Sequence, residues 1–191
     1  MSDMAGSPHT AQVGAGLTYQ DLVNLPEDGK RYEILDGDLV VTASPLTRHQ
    51  RVSRRLFSAL DHYAQQQDLG ELFFAPIDVI LDRHTIVVPD LVFLSKPRSA
   101  IIQAHGIVGA PDLLVEIFSP STAERDRDTK ARLYARFGVD HYWIVDAERE
   151  ELYVYGRDGA VYRAPTIHGG RTVARVAPFP DLAIDLGILW K

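Results

Sequence analysis

The sequence of 191 residues contains no cysteine, and this absence removes several kinds of site at once. Without thiols the chain can form no disulfide, no thiolate zinc site and no cysteine nucleophile. It also has no apolar run approaching the ~18 residues that span a bilayer, and its first residues lack the basic-then-apolar pattern of a secretory signal. We therefore expect a soluble, cytoplasmic protein with no membrane partner.

Familiar catalytic motifs are missing as well. The chain has no Gly-x-Ser-x-Gly nucleophile elbow, no glycine-rich phosphate loop and no dinucleotide fingerprint, so no organic cofactor is expected. Five histidines of the folded part show no zinc-ligand spacing and are expected at the surface or in loops, while His49 is considered separately below. They are His62, His84, His105, His141 and His168.

Positive charge is not in excess. The formal net charge is −6, from 20 basic and 26 acidic residues, which argues against bulk electrostatic coating of nucleic acid. Basic residues still cluster in two predicted helices, and most are expected to lie on solvated helix faces. They are Arg48, Arg51, Arg54 and Arg55 in one helix, and Arg125, Arg127, Lys130, Arg132 and Arg136 in the other.

The composition is that of an ordinary globular domain, with 46% hydrophobic and 24% charged residues. Residues 1–16 are small, polar and aperiodic, which predicts a flexible N-terminal tail. No repeat or linker divides the remainder. Residues 17–191 are therefore expected to form a single domain with its own core.

The order of predicted elements is mixed α/β. Asp36-Gly37 between two apolar segments predicts a hairpin with a type I′ turn. A long helix is expected from Thr47 to about residue 68, and another from Ser119-Pro120-Ser121-Thr122 to about residue 137. Residues 178–190 are apolar enough to dock on the core or on a partner. The main strands are predicted at residues 71–75, 78–81, 86–94, 112–118 and 141–146.

Four charged side chains lie in segments that otherwise look buried. Glu33, Asp90 and Glu116 interrupt apolar strand segments, and Lys130 shares a helical stripe with apolar and aromatic residues. Removing a bare charge from water costs on the order of 5 kcal/mol or more, so buried charges are normally paired or bound to a metal. A divalent cation is the natural common partner of this group.

Spacing along the strands separates the acidic candidates. Asp112 and Glu116 lie roughly 13 Å apart at about 3.3 Å per residue, too far to hold one ion directly. Asp112 is better explained as a residue that caps the start of its strand. Asp90 and Glu116 come from different strands, which can be neighbours about 4.8 Å apart. They are the better pair.

Lys130 has two interpretations that helix geometry leaves equally open. Leu133, Tyr134 and Phe137 lie on its face of the helix, which makes that face the inward one and allows the ammonium to reach Glu116. Alternatively, the side chain extends past the edge of the core into water, or pairs with Asp126 one turn earlier.

His49 and Ser119 also have alternative roles. His49 shares a helix face with apolar residues, which favours a buried, hydrogen-bonded histidine over one that lines a site. Capping of the following helix explains most of the Ser-Pro-Ser-Thr segment, and Ser119 can also hydrogen-bond a site carboxylate.

This set of residues suggests hydrolysis of phosphodiester bonds. Carboxylates bind Mg²⁺ or Mn²⁺, which prefer oxygen ligands and keep several waters. Such an ion lowers the pKa of a bound water and draws charge from phosphoryl oxygens. A nearby lysine can orient the attacking water and stabilise the charge of the transition state.

The motifs resemble those of the Uma-two (Uma2) family of restriction-endonuclease-like proteins, in order from about residue 17 to residue 156. The resemblance implies the PD-(D/E)xK nuclease fold, a mixed β-sheet flanked by helices with acids at its active edge. The segments that carry it are Arg31-Tyr32-Glu33-Ile34-Leu35-Asp36-Gly37, Pro89-Asp90-Leu91, the run from Ala110-Pro111-Asp112 through Glu116 to Ser119-Pro120-Ser121-Thr122, and Lys130 with Tyr134.

The resemblance assigns roles to individual residues. Asp90 and Glu116 match the two metal-binding acids, and Glu33 matches an acid that often joins the metal site. The superfamily pattern expects a lysine two residues after the second acid, but Phe118 stands there. Lys130, on the following helix, is the matching lysine, and Tyr134 is expected to line the site with it.

The sequence therefore predicts a Mg²⁺- or Mn²⁺-dependent endonuclease that acts on DNA. A homodimer is expected because a duplex offers two strands to contact. The alternative is a catalytically inactive module of the same fold that acts in protein interaction or oligomerisation through its apolar C-terminal stretch.

Overall fold

The computed structural model of the chain describes residues 16–26, 28–42, 44–118 and 126–191. Residues 1–15 of the predicted N-terminal tail lie outside the described residues. The order is α1 (Tyr19–Val23), β1 (Arg31–Leu35), β2 (Asp38–Thr42), α2 (Thr47–Gln66), β3 (Gly70–Phe74), β4 (Val79–Asp82), β5 (Thr85–Val87), β6 (Leu91–Ser95), a 3₁₀ helix (Lys96–Ile101), β7 (Ile102–Gln103), β8 (Gly106–Val108) and β9 (Leu113–Phe118).

The second half begins with a π-helical turn (Asp126–Lys130) that leads into the next α-helix. The remaining elements are α3 (Ala131–Phe137), β10 (His141–Asp146), β11 (Glu151–Asp158), β12 (Val161–Tyr162), β13 (Thr166–Gly169), β14 (Val173–Val176), β15 (Phe179–Asp185) and α4 (Leu186–Leu189). Within the described residues, no helix is both long enough and apolar enough to cross a membrane.

The strands form two larger sheets and one small one among the described residues. One sheet has the order β2-β1-β5-β4-β8-β7, and the other has the order β12-β11-β10-β9-β6-β3, with β13 also paired to β11. In the second sheet β9 runs parallel to β10 and antiparallel to β6. Strands β14 and β15 pair separately. The predicted mixed α/β architecture is confirmed.

The first hairpin follows directly from its turn residues. Strands β1 and β2 pair in register from Arg31↔Thr42 to Leu35↔Asp38. Asp36 and Gly37 between them have φ angles of 51° and 90°. A two-residue turn with positive φ at both positions matches the twist of the flanking strands, and Asp-Gly tolerates it well. This hairpin fixes the position of Glu33 in the middle of β1.

The predicted strand at residues 86–94 is wrong as one continuous element. The structure divides it into β5 and β6, which belong to different sheets. Pro89 has no backbone N–H to contribute to a ladder, so a strand is easily interrupted there. The break places Asp90 at the junction between the two sheets, directly before β6.

Helix α2 and the C-terminal segment cover one face of the second sheet. The buried residues of α2 fall on one side at helical spacing, as predicted, and include Val52, Leu56 and Leu60. Leu186 and Leu189 of α4 belong to the same hydrophobic cluster. Of the two positions considered for this segment, the structure shows it on the protein's own core.

A second hydrophobic cluster lies on the other face of that sheet. It joins Leu35 of β1, Leu114 and Phe118 of β9, and Leu133 and Tyr134 of α3. Side chains alternate along a strand, so Glu116 points to this face together with Leu114 and Phe118. The charged residues are therefore enclosed between β1, β9 and the start of α3.

Candidate active site

Lys130 lies between two carboxylates inside the second cluster. Its Nζ donates to Oε1 of Glu116 and to Oε1 of Glu33, both at 2.9 Å. The three residues are almost completely buried, with 4% of Lys130, 7% of Glu116 and 3% of Glu33 exposed. Because an isolated charge would be very unfavourable here, the ammonium and the two carboxylates stabilise one another.

Glu33 is held by the backbone as well as by Lys130. Its Oε1 also accepts a hydrogen bond of 2.8 Å from the N–H of Val88. Val88 follows β5, whose Ile86 pairs with Ile34 of β1. The pairing of these two strands therefore brings an N–H donor to the carboxylate and fixes its orientation toward Lys130.

Tyr134 supplies a further hydrogen bond to Glu116. Its hydroxyl donates to Oε1 of Glu116 at 2.7 Å, and the side chain is fully buried. Burial raises the pKa of Tyr134 well above its usual value, and the adjacent charge of Glu116 acts in the same direction. The hydroxyl therefore stays protonated at ordinary pH and remains a donor.

Asp90 is oriented by two donors on one oxygen. The N–H of Ile117 lies 2.8 Å from Oδ2, and Nε2 of His49 lies 3.0 Å from the same atom. Strand β6 pairs with β9 from Leu91↔Val115 onward, and the same register carried one residue further places Asp90 opposite Glu116. Asp90, directly before β6, thus lies beside Glu116 of β9.

His49 joins this arrangement from the first turn of α2. It is buried, with 7% of its surface exposed, and its Nδ1 has no hydrogen-bond partner among the described residues. His49 is thus a buried, hydrogen-bonded histidine whose partner is a candidate site acid, and a role in lining the site stays a prediction.

Sequence reasoning missed Arg31 as a member of this group. Its Nη1 lies 3.8 Å from Oδ1 of Asp90, and its Nε is buried without a hydrogen-bond partner among the described residues. The available signal was its position two residues before Glu33, which puts both side chains on the same face of β1.

Comparison with known proteins identifies the family. The model of the Uma2 family, described as "Putative restriction endonuclease", matches residues 19–187. The chain belongs to the Uma2 family. The resemblance carried by the sequence motifs is confirmed.

Two further proteins are similar to the Uma2 chain. A crystal structure described as a putative nuclease belonging to DUF820, from Anabaena variabilis, superposes with a TM-score of 0.76 at 18% identity, covering 91% of this chain and 97% of that one. An uncharacterized Synechocystis protein, slr1290, is 26% identical over 133 residues, which is 68% of this chain and 67% of that protein. The Uma2 chain has the restriction-endonuclease-like fold.

The structure resolves the geometric alternatives for two further residues of the Uma2 motifs. Lys130 points inward to Glu116 rather than outward to water. Asp112 lies away from the cluster, where it accepts a 2.7 Å hydrogen bond from the N–H of Ser95 and lies 3.3 Å from Nε of Arg98. Ser119 lies outside the described residues.

The described part of this Uma2 protein contains no group of three His, Asp or Glu side chains arranged to hold a metal ion. The acids instead form two adjoining units. Glu33 and Glu116 share Lys130, and Asp90 contacts His49 with Arg31 nearby. All three acids offer oxygen ligands, the donor type that Mg²⁺ and Mn²⁺ prefer.

Proposed function

We propose that this protein is a Mg²⁺- or Mn²⁺-dependent endonuclease that hydrolyses phosphodiester bonds of DNA. The observation that carries the proposal is the buried Lys130 ammonium between Glu33 and Glu116, with Asp90 beside Glu116 at the residue that precedes β6. The family is described as a putative restriction endonuclease, and the resemblance of the sequence motifs implies a lysine beside the acids of such a protein.

Asp90 and Glu116 fit a divalent cation even without a third protein ligand. Mg²⁺ is commonly bound through one or two carboxylates, with waters and substrate phosphates at its other positions. Glu33 would be an auxiliary ligand. When bound, the ion would supply an acidified water and withdraw charge from the phosphoryl oxygens.

The side chains around these acids have distinct tasks. Lys130 orients the attacking water and offsets negative charge that builds on the phosphate. Tyr134 fixes the rotamer of Glu116 through its hydroxyl. His49 and the N–H of Ile117 both hold Oδ2 of Asp90, which leaves Oδ1 as the oxygen to turn toward a ligand.

The test combines metal titration with DNA cleavage. Calorimetric titration of Mg²⁺ and Mn²⁺ into the wild type and into Glu116→Gln should show binding only in the wild type. Plasmid cleavage should fall at least ~100-fold in Glu116→Gln and in Lys130→Met, the scale associated with removing one charge-stabilising or proton-transfer group.

Folding must be controlled because Lys130→Met leaves Glu33 and Glu116 without their ammonium. The double variant Lys130→Met with Glu33→Gln removes one of those charges and should recover stability without recovering cleavage. Urea unfolding measures the recovered stability. Cleavage by a folded Lys130→Met protein at the wild-type rate would contradict the proposal.

A non-catalytic role is the second candidate, and one observation favours it. Lys130 already offsets the charges of Glu33 and Glu116, so the cluster can stabilise the fold without an ion. A wild type that neither binds Mg²⁺ or Mn²⁺ nor cleaves DNA would support this reading. Because Leu186 and Leu189 of the C-terminal segment pack on the core, a partner of such a module would meet its exposed side, which carries Ile188.

A further inference from the structure

An open cavity of about 300 Å³ lies beside the candidate active site. Its walls come from α1 and the chain after it, the start of β1, and residues on either side of β4 and β5. The lining residues are Leu22, Val23, Leu25, Pro26, Lys30, Arg31, Tyr32, Pro76, Asp78 and Val88. The cavity is thus mainly apolar, with two basic side chains and one acidic side chain at its walls.

Two of the lining residues connect the cavity to the buried acids. The N–H of Val88 donates to Glu33, and the guanidinium of Arg31 lies beside Asp90. Arg31 and Glu33 also share one face of β1. A molecule that enters this cavity therefore lies next to both acidic units of the site.

Arg31 is loosely held on its present partner. The distance of 3.8 Å from Nη1 to Oδ1 of Asp90 is too long for a hydrogen bond. Its side chain is 26% exposed, and Nε has no acceptor among the described residues. Turning the guanidinium into the cavity would therefore break no hydrogen bond of the described residues. It would also let Nε–H donate to an acceptor on a molecule bound there.

We propose that this cavity binds the phosphodiester backbone of the DNA strand and that Arg31 donates hydrogen bonds to a phosphate there. The proposal rests on the nuclease function proposed above. Guanidinium groups bind phosphate through two parallel hydrogen bonds, which suits an arginine that already lies at the edge of the site. Lys30, which pairs with Asp28 at 2.8 Å, lines the same space, and the apolar wall formed by Leu22, Leu25 and Pro26 matches a deoxyribose.

Asp78 is the acidic residue that such a ligand must tolerate. Burial raises the pKa of its carboxyl, while a hydrogen bond from the Tyr19 side chain acts in the opposite direction. Its charge opposes an anion only in part, because Arg31 lines the same space, whereas the charge of Lys30 is offset by Asp28. Among the lining residues, Arg31 is therefore the cation whose charge is less closely paired with a carboxylate, at 3.8 Å from Asp90 against 2.8 Å between Lys30 and Asp28.

The test measures DNA affinity separately from catalysis. A fluorescently labelled DNA duplex is titrated in EDTA, where no divalent ion is available, and binding is followed by anisotropy at several salt concentrations. Arg31→Gln should weaken binding about 10-fold and reduce the slope of log K against log salt by about one. Arg163→Gln is the matched control, since Arg163 is exposed directly after β12, paired with Asp158 and not among the lining residues.

The conservative variant Arg31→Lys keeps the charge beside Asp90 but loses the fork of donors. It should fold as the wild type does and bind DNA several-fold more weakly. A residue that merely balances the charge of Asp90 would instead change the unfolding free energy and the metal affinity, and leave DNA affinity at the level of the control.

The outcomes separate this proposal from the nuclease assignment. Equal affinities of the wild type, both Arg31 variants and Arg163→Gln would overturn the phosphate site, even if the wild type cleaves plasmid. Absence of DNA binding by the wild type would overturn it too. Binding that depends on Arg31 in a protein that does not cleave would uphold the phosphate site and reject the nuclease.

Discussion

At the scale of single residues, the molecule depends on charges that would be unfavourable alone. Lys130, Glu33 and Glu116 are each at least nine-tenths buried, yet the ammonium of Lys130 donates to a carboxylate oxygen of each acid. Such groups stabilise a fold only as a set, because removing one member leaves another charge unpaired in the interior. Mutational effects in this cluster should therefore be strongly non-additive.

Tyr134→Phe tests the hydroxyl that holds Glu116. It removes one buried hydrogen bond to a carboxylate and keeps the ring, which packs against Tyr142 with 5.0 Å between ring centroids. We expect the free energy of unfolding to fall by about 1–2 kcal/mol. Tyr32→Phe is the control, because its hydroxyl bonds Asp28 at the surface and should contribute less than about 0.5 kcal/mol. Equal losses in urea unfolding would refute this view of Tyr134.

At the scale of elements, the packing of α4 shows where the C-terminal segment docks. Leu189 is 2% exposed in the core cluster, and its carbonyl accepts a 3.2 Å hydrogen bond from Arg55 of α2. The adjacent Ile188 is 50% exposed. The helix thus presents one apolar side to α2 and leaves the other in solvent.

Neighbouring substitutions in α4 should therefore have unequal effects on stability. Leu189→Ala is expected to lower the free energy of unfolding by about 2–4 kcal/mol through lost burial and a residual cavity. Ile188→Ala should cost less than about 1 kcal/mol because it removes mainly exposed surface. Urea denaturation of both variants provides the comparison. A larger loss for Ile188→Ala would mean that the segment docks elsewhere.

Elements also differ in how well the sequence predicts them. The β1–β2 hairpin and α2 follow from local signals, namely a turn dipeptide and apolar residues at helical spacing. The break between β5 and β6 does not, because residues 86–94 look like one buried strand. Only the pairing of β5 with β1 and of β6 with β9 and β3 shows that the chain passes from one sheet to the other.

At the scale of the whole molecule, stability should depend on pH through His141. Burial lowers the pKa of this histidine below its usual 6.5, although Asp140 and Asp112 act in the opposite direction. The unfolded chain then binds a proton that the folded chain does not, so stability is lost as pH falls below about 6.5. The free energy of unfolding falls by at most about 1.4 kcal/mol per pH unit, and the partial exposure of His141 to solvent reduces this loss.

Urea unfolding at a series of pH values measures this dependence. His141→Gln should flatten the decline below pH 6.5, the usual histidine value. His62→Gln, at an exposed position of α2, should leave the decline unchanged. An identical pH profile for the wild type and His141→Gln would exclude His141 as its cause.

The expected homodimer remains a prediction, for which sedimentation of the full chain is the measurement.

The sequence by itself determined the mixed α/β class, the first hairpin, the long amphipathic helix and the four charges that needed partners. These depend on local periodicity, turn chemistry and the cost of burying charge. The tertiary structure alone decided which partners they found. Glu33 and Lys130 lie 97 residues apart and His49 and Asp90 lie 41 apart, so their contacts arise only when the sheets pack together. No local pattern links Arg31 with Asp90, since that contact too depends on where β1 and the junction before β6 meet in space.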